Sequence, residues 1–256
     1  MLEKNSKIFY DSHFHYSDCL EKGCFNPPSS WKGCSCAHSI EEWNIQCGQH
    51  FLHSFGIHPQ FIADNDFLLE KYFLFQQNLL EENKLDAIGE TGFDFFNENF
   101  KRYSVKQEKY FVLQLEAAIK FNKPLIIHCR KANEKLFYYS KLLKQVPAVL
   151  FHSFMGTSIE AKSLLNKGIN GFFSFGKQIM NNNKKVIDCV KNIPSESLLL
   201  ETDAPFQFLK NESMTSVADI EKVYESVSQL KQMDLESLFY LLENNFYSLF
   251  VYPKKQ

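Results

Sequence analysis

Two histidines separated by one residue are the first feature of the sequence that could carry chemistry. They lie in Asp11-Ser-His13-Phe-His15, directly after a short apolar run. Residues two apart on an extended chain project to the same face, so both imidazoles can reach one metal ion. The spacing alone is weak support, because two ordinary polar residues at the end of a strand would look the same.

The same placement recurs at four more positions along the chain. Each is a histidine or a carboxylate that follows an apolar run: Glu90, His128, His152 and Asp203. In a barrel of parallel strands the carboxyl ends converge on one mouth, where active sites are built. We therefore predict that six side chains meet at a metal centre there: His13, His15, Glu90, His128, His152 and Asp203.

The size and chemistry of this set indicate two divalent ions. Imidazole and carboxylate groups suit zinc, manganese and similar ions, and six ligands are more than one tetrahedral ion uses. A carboxylate can bridge two ions. We predict this role for Glu90, on the premise that its strand lies opposite the first strand in an eight-membered ring. The expected cofactors are two divalent ions, Zn, Mg or Mn.

The elements that must position these groups are short strands alternating with helices. Eight apolar or β-branched runs lie at residues 8–10, 33–37, 51–55, 85–88, 125–127, 148–151, 171–174 and 198–200. Apolar residues recur at helical spacing between several of them, as over 68–79 and 111–118, which is typical of parallel βαβ units. The pattern predicts an α/β fold, a TIM-type (β/α)8 barrel, with C-terminal helices over 220–230 and 235–249 packed outside.

Length and composition agree with one barrel domain over residues 1–256. The chain is 45% hydrophobic, and its net charge of −2 gives no basic field for nucleic acid, so such a substrate must be held locally. The seven cysteines are odd in number and scattered. No signal pattern and no membrane-spanning apolar run is present. We expect a cytoplasmic protein with reduced thiols, no membrane contact and no obligate protein partner.

Six ordered motifs resemble those of the TatD-type deoxyribonuclease family, which belongs to the amidohydrolase-like barrels. They are Asp11-Ser-His-Phe-His15, Gly56-Ile-His-Pro59, Ala87-Ile-Gly-Glu-Thr-Gly-Phe-Asp94, Ile127-His-Cys-Arg130, Phe151-His-Ser-Phe154 and Leu200-Glu-Thr-Asp-Ala-Pro205. The resemblance runs from about residue 8 to the end of the chain, including residues 245–250.

This resemblance implies a binuclear site and a hydrolytic mechanism. His13, His15 and Asp203 would hold one ion, His128 and His152 the other, and Glu90 would bridge them. A metal-bridged hydroxide would be the nucleophile, with Glu90 and Asp203 as catalytic residues and Asp203 accepting its proton. Because the bridge is Glu90, no modified lysine is required.

Four more residues are candidates for contacts around the ligands. His58 resembles the family's site histidine and would contact a phosphate, unless it is only a turn residue fixed before a proline. Arg130 could pair with a phosphate or with Glu134 at helical spacing. Asp94 and Glu201 resemble supporting carboxylates that hold the ligating imidazoles in place.

Other conspicuous residues are interpreted as structural. His38, His50 and His53 fall outside the motifs and are expected to be structural or surface residues, and Cys34 and Cys36 to be buried thiols rather than zinc ligands. Six phenylalanines could stack bases, although packing is the favoured role for any one of them: Phe14, Phe93, Phe95, Phe96, Phe154 and Phe206.

The leading hypothesis is a metal-dependent deoxyribonuclease that cleaves DNA phosphodiester bonds, with 3′–5′ exonuclease action as the favoured form. The alternative is a related barrel hydrolase of another ester, amide or phosphoester, such as an aminoacyl-tRNA ester. It stays open because the segments after Asp203 and between Cys19 and Gln49 are short, and such loops normally supply substrate contacts. A metal-loaded scaffold without turnover is the third hypothesis.

Overall fold

Eight parallel strands form the centre of the molecule. The structure, a computed structural model, describes residues 7–63 and 65–252. Within these ranges the strands pair in chain order, and each neighbouring pair is parallel. Their bounds are β1 (Phe9–Phe14), β2 (Trp31–Ala37), β3 (Leu52–Phe55), β4 (Ala87–Asp94), β5 (Leu125–Arg130), β6 (Val149–Phe151), β7 (Gly171–Phe175) and β8 (Leu198–Leu200). The predicted TIM-type barrel is confirmed.

Helices follow each strand and cover the outside of the sheet. In α5, for example, the helically spaced Phe111, Leu115 and Ala118 are buried on the face towards the strands. The described α-helices are α1 (Tyr16–Glu21), α2 (Ile40–Gln46), α3 (Asp66–Glu81), α4 (Glu98–Lys101), α5 (Ser104–Lys120), α6 (Asn133–Tyr138), α7 (Ser140–Leu143), α8 (Ser158–Asn166), α9 (Lys184–Asn192), α10 (Ile220–Lys231) and α11 (Leu235–Phe250). None of them, in the described ranges, is long and apolar enough to cross a membrane.

The last helix covers more than the outside of the barrel. Leu238 and Leu242, early in α11, pack in the cluster between strands and helices, as the outside packing predicts. Phe246 and Leu249, later in the same helix, instead join a cluster of residues near the amino ends of the strands, such as Tyr10. The end of α11 therefore covers the barrel end opposite the predicted metal centre.

Hydrogen bonds from side chains close the ring between β1 and β8. The carboxyl group of Asp11 accepts the backbone N–H of Thr202 at 2.9 Å and its hydroxyl at 2.7 Å. The hydroxyl of Ser12 donates to the carbonyl of Leu200 at 3.0 Å. All four residues are buried. The first and last strands are thereby fixed side by side at the mouth.

Three strands continue at least three residues past the end that the apolar runs predict. β1, β4 and β5 continue beyond residues 10, 88 and 127 respectively, so His13, Glu90 and His128 lie within strands rather than after them. The reason is that polar residues facing the mouth still pair, as in the register Gly92 with His128. Glu90 was also expected on the strand opposite β1. This premise was wrong, because Glu90 lies on β4, and β5 is the strand opposite β1 in this ring.

Gly92 allows β4 to approach β5 where His128 is placed. Its φ of +139° is in the region that favours glycine, and a Cβ at this position would collide with the carbonyl oxygen of His128. Only glycine fits here, and its neighbour across the ladder is a predicted metal ligand.

Candidate metal centre

The buried carboxylate of Glu90 lies at the centre of the barrel mouth and faces six imidazoles. Its Oε2 lies near three ring nitrogens, at 3.3 Å from His13, 3.6 Å from His15 and 3.3 Å from His38. Its Oε1 lies near three others, at 3.7 Å from His58, 3.7 Å from His128 and 2.7 Å from His152. One carboxylate thus connects two sets of possible ligands.

His13, His15 and Asp203 form the first set together with Glu90. The Nε2 atoms of the two histidines are 3.2 Å apart, and Asp203 Oδ1 lies 3.7 Å from His13 and 3.3 Å from His15. Backbone bonds fix this arrangement, since Asp203 N–H donates to the His13 carbonyl and His15 N–H donates to the Ala204 carbonyl. The closure of the barrel therefore brings the first and last motifs together.

Asp203 is oriented by a residue that the sequence reasoning missed. The side-chain amide of Gln207 donates to Asp203 Oδ2 at 2.6 Å and to the Ser153 hydroxyl at 2.7 Å, which leaves Asp203 Oδ1 facing the histidines. Asp203 itself has a φ of +53°, a conformation that aspartate tolerates better than most residues. No motif or spacing marks Gln207.

His128 and His152 form the second set with Glu90. His128 Nδ1 lies 3.2 Å from His152 Nε2. On its other side, His128 Nε2 donates to Asp94 Oδ2 at 3.1 Å, and Gln60 donates to the same oxygen at 2.7 Å. Asp94 is therefore placed beside a predicted ligand, and its contact leaves His128 Nδ1 facing Glu90 at 3.7 Å.

Glu201 faces the nitrogen of His152 that points away from Glu90. Its Oε1 lies 3.7 Å from His152 Nδ1, and its Oε2 accepts a hydrogen bond from the Ser174 hydroxyl. Burial disfavours the charged form of His152, but the charges of Glu90 and Glu201 hold the pKa of this imidazole well above its usual value.

The donor atoms are spaced as ligands of a small divalent ion would be. A tetrahedral ion with bonds of 2.0–2.1 Å has ligand atoms about 3.3–3.4 Å apart. The spacings here between His13, His15, Glu90 and Asp203 are 3.2–3.7 Å. The Nδ1 atoms of His13 and His15 are buried without a hydrogen-bond partner among the described residues, so these rings engage only the centre. The residues fit a metal.

Protons occupy this centre when metal is absent. Burial opposes the protonation of His15, but Asp203 and Glu90 raise the pKa of His15 to about 9. Burial would raise the pKa of Glu90, yet the surrounding imidazoles hold it well below its ordinary value. The carboxylate is therefore charged at neutral pH, as a ligand must be.

His58 is buried beside the centre, and its hydrogen bonds determine which ring nitrogen carries the hydrogen. Burial holds the pKa of His58 well below its usual value, so the ring is neutral. The backbone N–H of Gln60 donates to His58 Nδ1 at 3.2 Å, which places the ring hydrogen on Nε2. This N–H points towards Glu90 and the cleft, and it can donate to a bound anion.

Arg130 lies at the exposed rim of the same cleft. Its guanidinium carbon is 3.5 Å from the centroid of the Phe96 ring, a stacked cation–π contact. The helical spacing also allowed an ion pair between Arg130 and Glu134. No such ion pair is present among the described residues. The cleft has a volume of about 530 Å³, and five of the six predicted ligands line it: His15, Glu90, His128, His152 and Asp203.

His38 corrects the sequence interpretation. It was expected to be structural or at the surface, but it follows β2 directly, is buried, and lies with its Nε2 3.3 Å from Glu90. The signal was available, because a histidine directly after an apolar run is the same signal that led to the predicted ligands. His50, by contrast, is exposed, and His53 packs against Trp43 away from the mouth.

The phenylalanines near the motifs divide into two groups. Phe14, Phe93 and Phe154 are buried core residues and Phe95 is partly buried against the core, as packing predicts. Phe96 and Phe206 are exposed at 44% and 41%, and Phe206 lines the cleft. Only the exposed pair is accessible for stacking with a ligand.

Comparisons with known proteins identify the family of the chain. A profile described as TatD related DNase matches residues 30–251. An uncharacterized metal-dependent hydrolase of Methanocaldococcus jannaschii is 28% identical over 185 residues, which cover 72% of this chain and 69% of that protein. A protein of Escherichia fergusonii named 3′-5′ ssDNA/RNA exonuclease TatD is 30% identical over 164 residues, or 62% of this chain and 60% of that protein. The chain thus spans less than two thirds of the exonuclease's length.

A solved structure supports the fold. The crystal structure of YjjV, a TatD homologue from Escherichia coli K12, superposes with a TM-score of 0.81 at 23% sequence identity, and the match covers 94% of this chain and 97% of that one. Since the family profile also matches most of the sequence, the chain belongs to the TatD-related DNase family.

Proposed function

We propose that the protein is a metal-dependent deoxyribonuclease that hydrolyses phosphodiester bonds of single-stranded DNA from the 3′ end. The observation that carries this proposal is the position of Glu90. Its two buried oxygens face separate sets of imidazoles, as a bridge between two ions requires. The family and the printed name of the exonuclease relative support DNA as the substrate.

The ligands divide between two ions, Zn, Mg or Mn. His13, His15 and Asp203 would hold one ion, and His128 and His152 the other, with Glu90 shared. Two such ions would lower the pKa of a water molecule and neutralise charge on the phosphoryl oxygens during the displacement.

Asp203 is the proposed proton acceptor for the attacking water. Burial would raise its pKa, but the hydrogen bond to His15 and the neighbouring imidazoles lower it, so the carboxylate is ionised and can accept a proton. Gln207 holds Oδ2 in place at 2.6 Å. The proton acceptor is therefore fixed in orientation before substrate binds.

Three groups around the cleft would bind the DNA strand. The Nε2–H of His58 would donate to a non-bridging phosphate oxygen. Arg130, at the rim, would pair with an adjacent phosphate in bidentate geometry. Phe206 is exposed beside His15 and would stack a base, a contact that a single strand can make and a paired base cannot.

We also propose the cytoplasm as the compartment. All seven cysteines of the chain fall in its described part, and all are free thiols, including Cys19 and Cys24, which lie close together. A reducing compartment keeps such thiols unpaired.

The test uses single-stranded DNA labelled at either end and protein reconstituted with Zn, Mg or Mn. We expect progressive shortening from the 3′ end. The His128→Ala variant should be slower by more than about 100-fold, because it lacks a metal ligand. His50→Ala, which removes an exposed imidazole, is the matched control and should equal wild type.

Two outcomes would contradict the proposal. Cleavage that persists unchanged in His128→Ala would mean that the centre is not the active site. Hydrolysis of an aminoacyl-tRNA ester or another carboxyl ester, without cleavage of DNA, would favour the alternative hydrolase.

A further inference from the structure

His38 has the hydrogen-bond partner and the orientation of a metal ligand. Its Nδ1 lies 3.1 Å from the carbonyl oxygen of Gly56. A carbonyl oxygen only accepts, so a ring hydrogen lies on Nδ1, and in the tautomer with that single ring hydrogen Nε2 offers a lone pair. That lone pair points at Glu90 Oε2, at 3.3 Å.

His128 and His58 provide the comparison within the same centre. His128 donates through its outer nitrogen to Asp94, which leaves its inner nitrogen free to bind metal. His58 accepts a hydrogen bond on its outer nitrogen, so its inner nitrogen carries the hydrogen. Metal-binding histidines usually donate their second N–H to a carboxylate or a backbone carbonyl. His38 therefore resembles His128, not His58.

The contact between His38 and Glu90 also requires a positive charge. Two atoms that only offer lone pairs lie 3.3 Å apart in a buried site, which is unfavourable without a proton or a cation between them. His15 Nε2 faces the same carboxylate oxygen, and the donor atoms of His15, His38 and Glu90 all lie within 4.8 Å of one another.

We propose that His38 is a seventh ligand of the centre and binds, through Nε2, a divalent cation that it shares with His15 and Glu90. This inference rests on the proposed metal centre and adds to it an imidazole that lies outside the six motifs. An additional imidazole favours ions that prefer nitrogen, such as Zn, over Mg, which prefers oxygen and water.

The variant that separates ligation from structural support is His38→Asn. An asparagine amide can place an N–H donor near the position of Nδ1, so the hydrogen bond to Gly56 is kept while the ligand atom is removed. His50→Asn is the matched control. Competition with a chelator gives the affinity for Zn, and visible absorption of the cobalt-loaded protein reports the coordination of the ion.

We expect His38→Asn to bind one ion at least about 10-fold more weakly than wild type, with an altered cobalt spectrum. The melting temperature of the metal-free protein should match that of His50→Asn. Equal affinity and an unchanged spectrum would overturn the proposal. If wild type itself bound no metal, the proposed function would fail as well, so the two failures are distinguishable.

A second measurement on the wild-type protein avoids any effect of the substitution on folding. Histidine rings labelled with ¹⁵N change their nitrogen shifts when they bind Zn. Ring signals that respond as metal-bound should come from five histidines: His13, His15, His38, His128 and His152. Four metal-bound rings, without His38, would contradict the inference.

Discussion

At the scale of single residues, the partner of the outer ring nitrogen determines what each histidine of the centre can do. His128 donates to Asp94, so its other nitrogen is available for metal. His58 accepts from Gln60, so its other nitrogen can only donate. Residues outside the predicted ligand set thus orient the histidines within the centre.

Asp94 should control the affinity for the ion held by His128. In Asp94→Asn the acceptor for His128 Nε2–H is weakened, and the amide nitrogen can turn towards the ring. We expect a loss of about 10–100-fold in the affinity for one of the two ions. Titration with a competing chelator measures it, and Glu116→Gln, an exposed position in α5, is the matched control. Unchanged affinity would show that Asp94 does not position His128.

Metal binding should release protons and strengthen with pH. The pKa of His15 is about 9 in the metal-free centre, and Glu90 holds that of His152 well above its usual value, so both rings are protonated near neutral pH. A ligand nitrogen must give up its proton, so acid competes with metal. Affinity should rise as the pH increases towards about 9.

Calorimetry in two buffers of different ionisation enthalpy counts the protons that are released. The expected result is net proton release at neutral pH. The number of protons released should decline as the pH approaches the pKa of His15, about 9. Binding enthalpies that are the same in both buffers would show that the ligand rings are already unprotonated.

Residue types and their positions at strand ends could be predicted from the sequence, and the six predicted ligands, Glu90 among them, meet at the barrel mouth. Two neighbours of these ligands were missed. Gln207 acts through a side-chain contact with Asp203 that no spacing encodes. His38 was missed because it lies outside the motifs. The orientation of each imidazole ring also cannot be predicted from the sequence, because it depends on backbone carbonyls such as that of Gly56.

At the scale of elements, the site depends on the closure of the barrel between β1 and β8. The apolar runs located all eight strands, and β8 has the predicted bounds. They could not locate the ends of β1, β4 and β5, because residues that face the mouth are polar whether or not they are paired. The longer strands hold His13, Glu90 and His128 on the sheet rather than on loops.

Asp11 should contribute to stability through this closure. In Asp11→Ala the buried N–H and hydroxyl of Thr202 lose their acceptor. We expect the free energy of unfolding of the metal-free protein to fall by about 2–3 kcal/mol, measured by urea denaturation. Glu116→Ala, at an exposed position, should change it by less than about 0.5 kcal/mol. A loss no larger than this control would mean that Asp11 does not hold β1 against β8.

At the scale of the whole molecule, the charge is nearly balanced, and the cations near the cleft are few. The net charge is −2. Lys131 and Arg130 both stack on Phe96, and Lys22 lies over Phe206 at 5.6 Å. Single-stranded DNA should therefore contact the protein through two or three phosphates rather than along a basic surface.

The salt dependence of DNA binding tests this expectation. With about 0.7 counterions released per phosphate contact on a single strand, the logarithm of affinity should fall against the logarithm of salt with a slope of about −2. Fluorescence anisotropy of labelled DNA with the His128→Ala variant measures binding without cleavage. A slope of about −5 or steeper would indicate an extended basic surface that the charge distribution does not provide.

The most direct test of the central claim is the metal content of the purified, reconstituted protein, measured by elemental analysis beside the Glu90→Ala variant. We expect about two ions per chain in wild type and a clear loss in the variant, because Glu90 faces both sets of imidazoles. A wild-type protein that holds no ion after loading, or a Glu90→Ala variant that retains both ions, would contradict it.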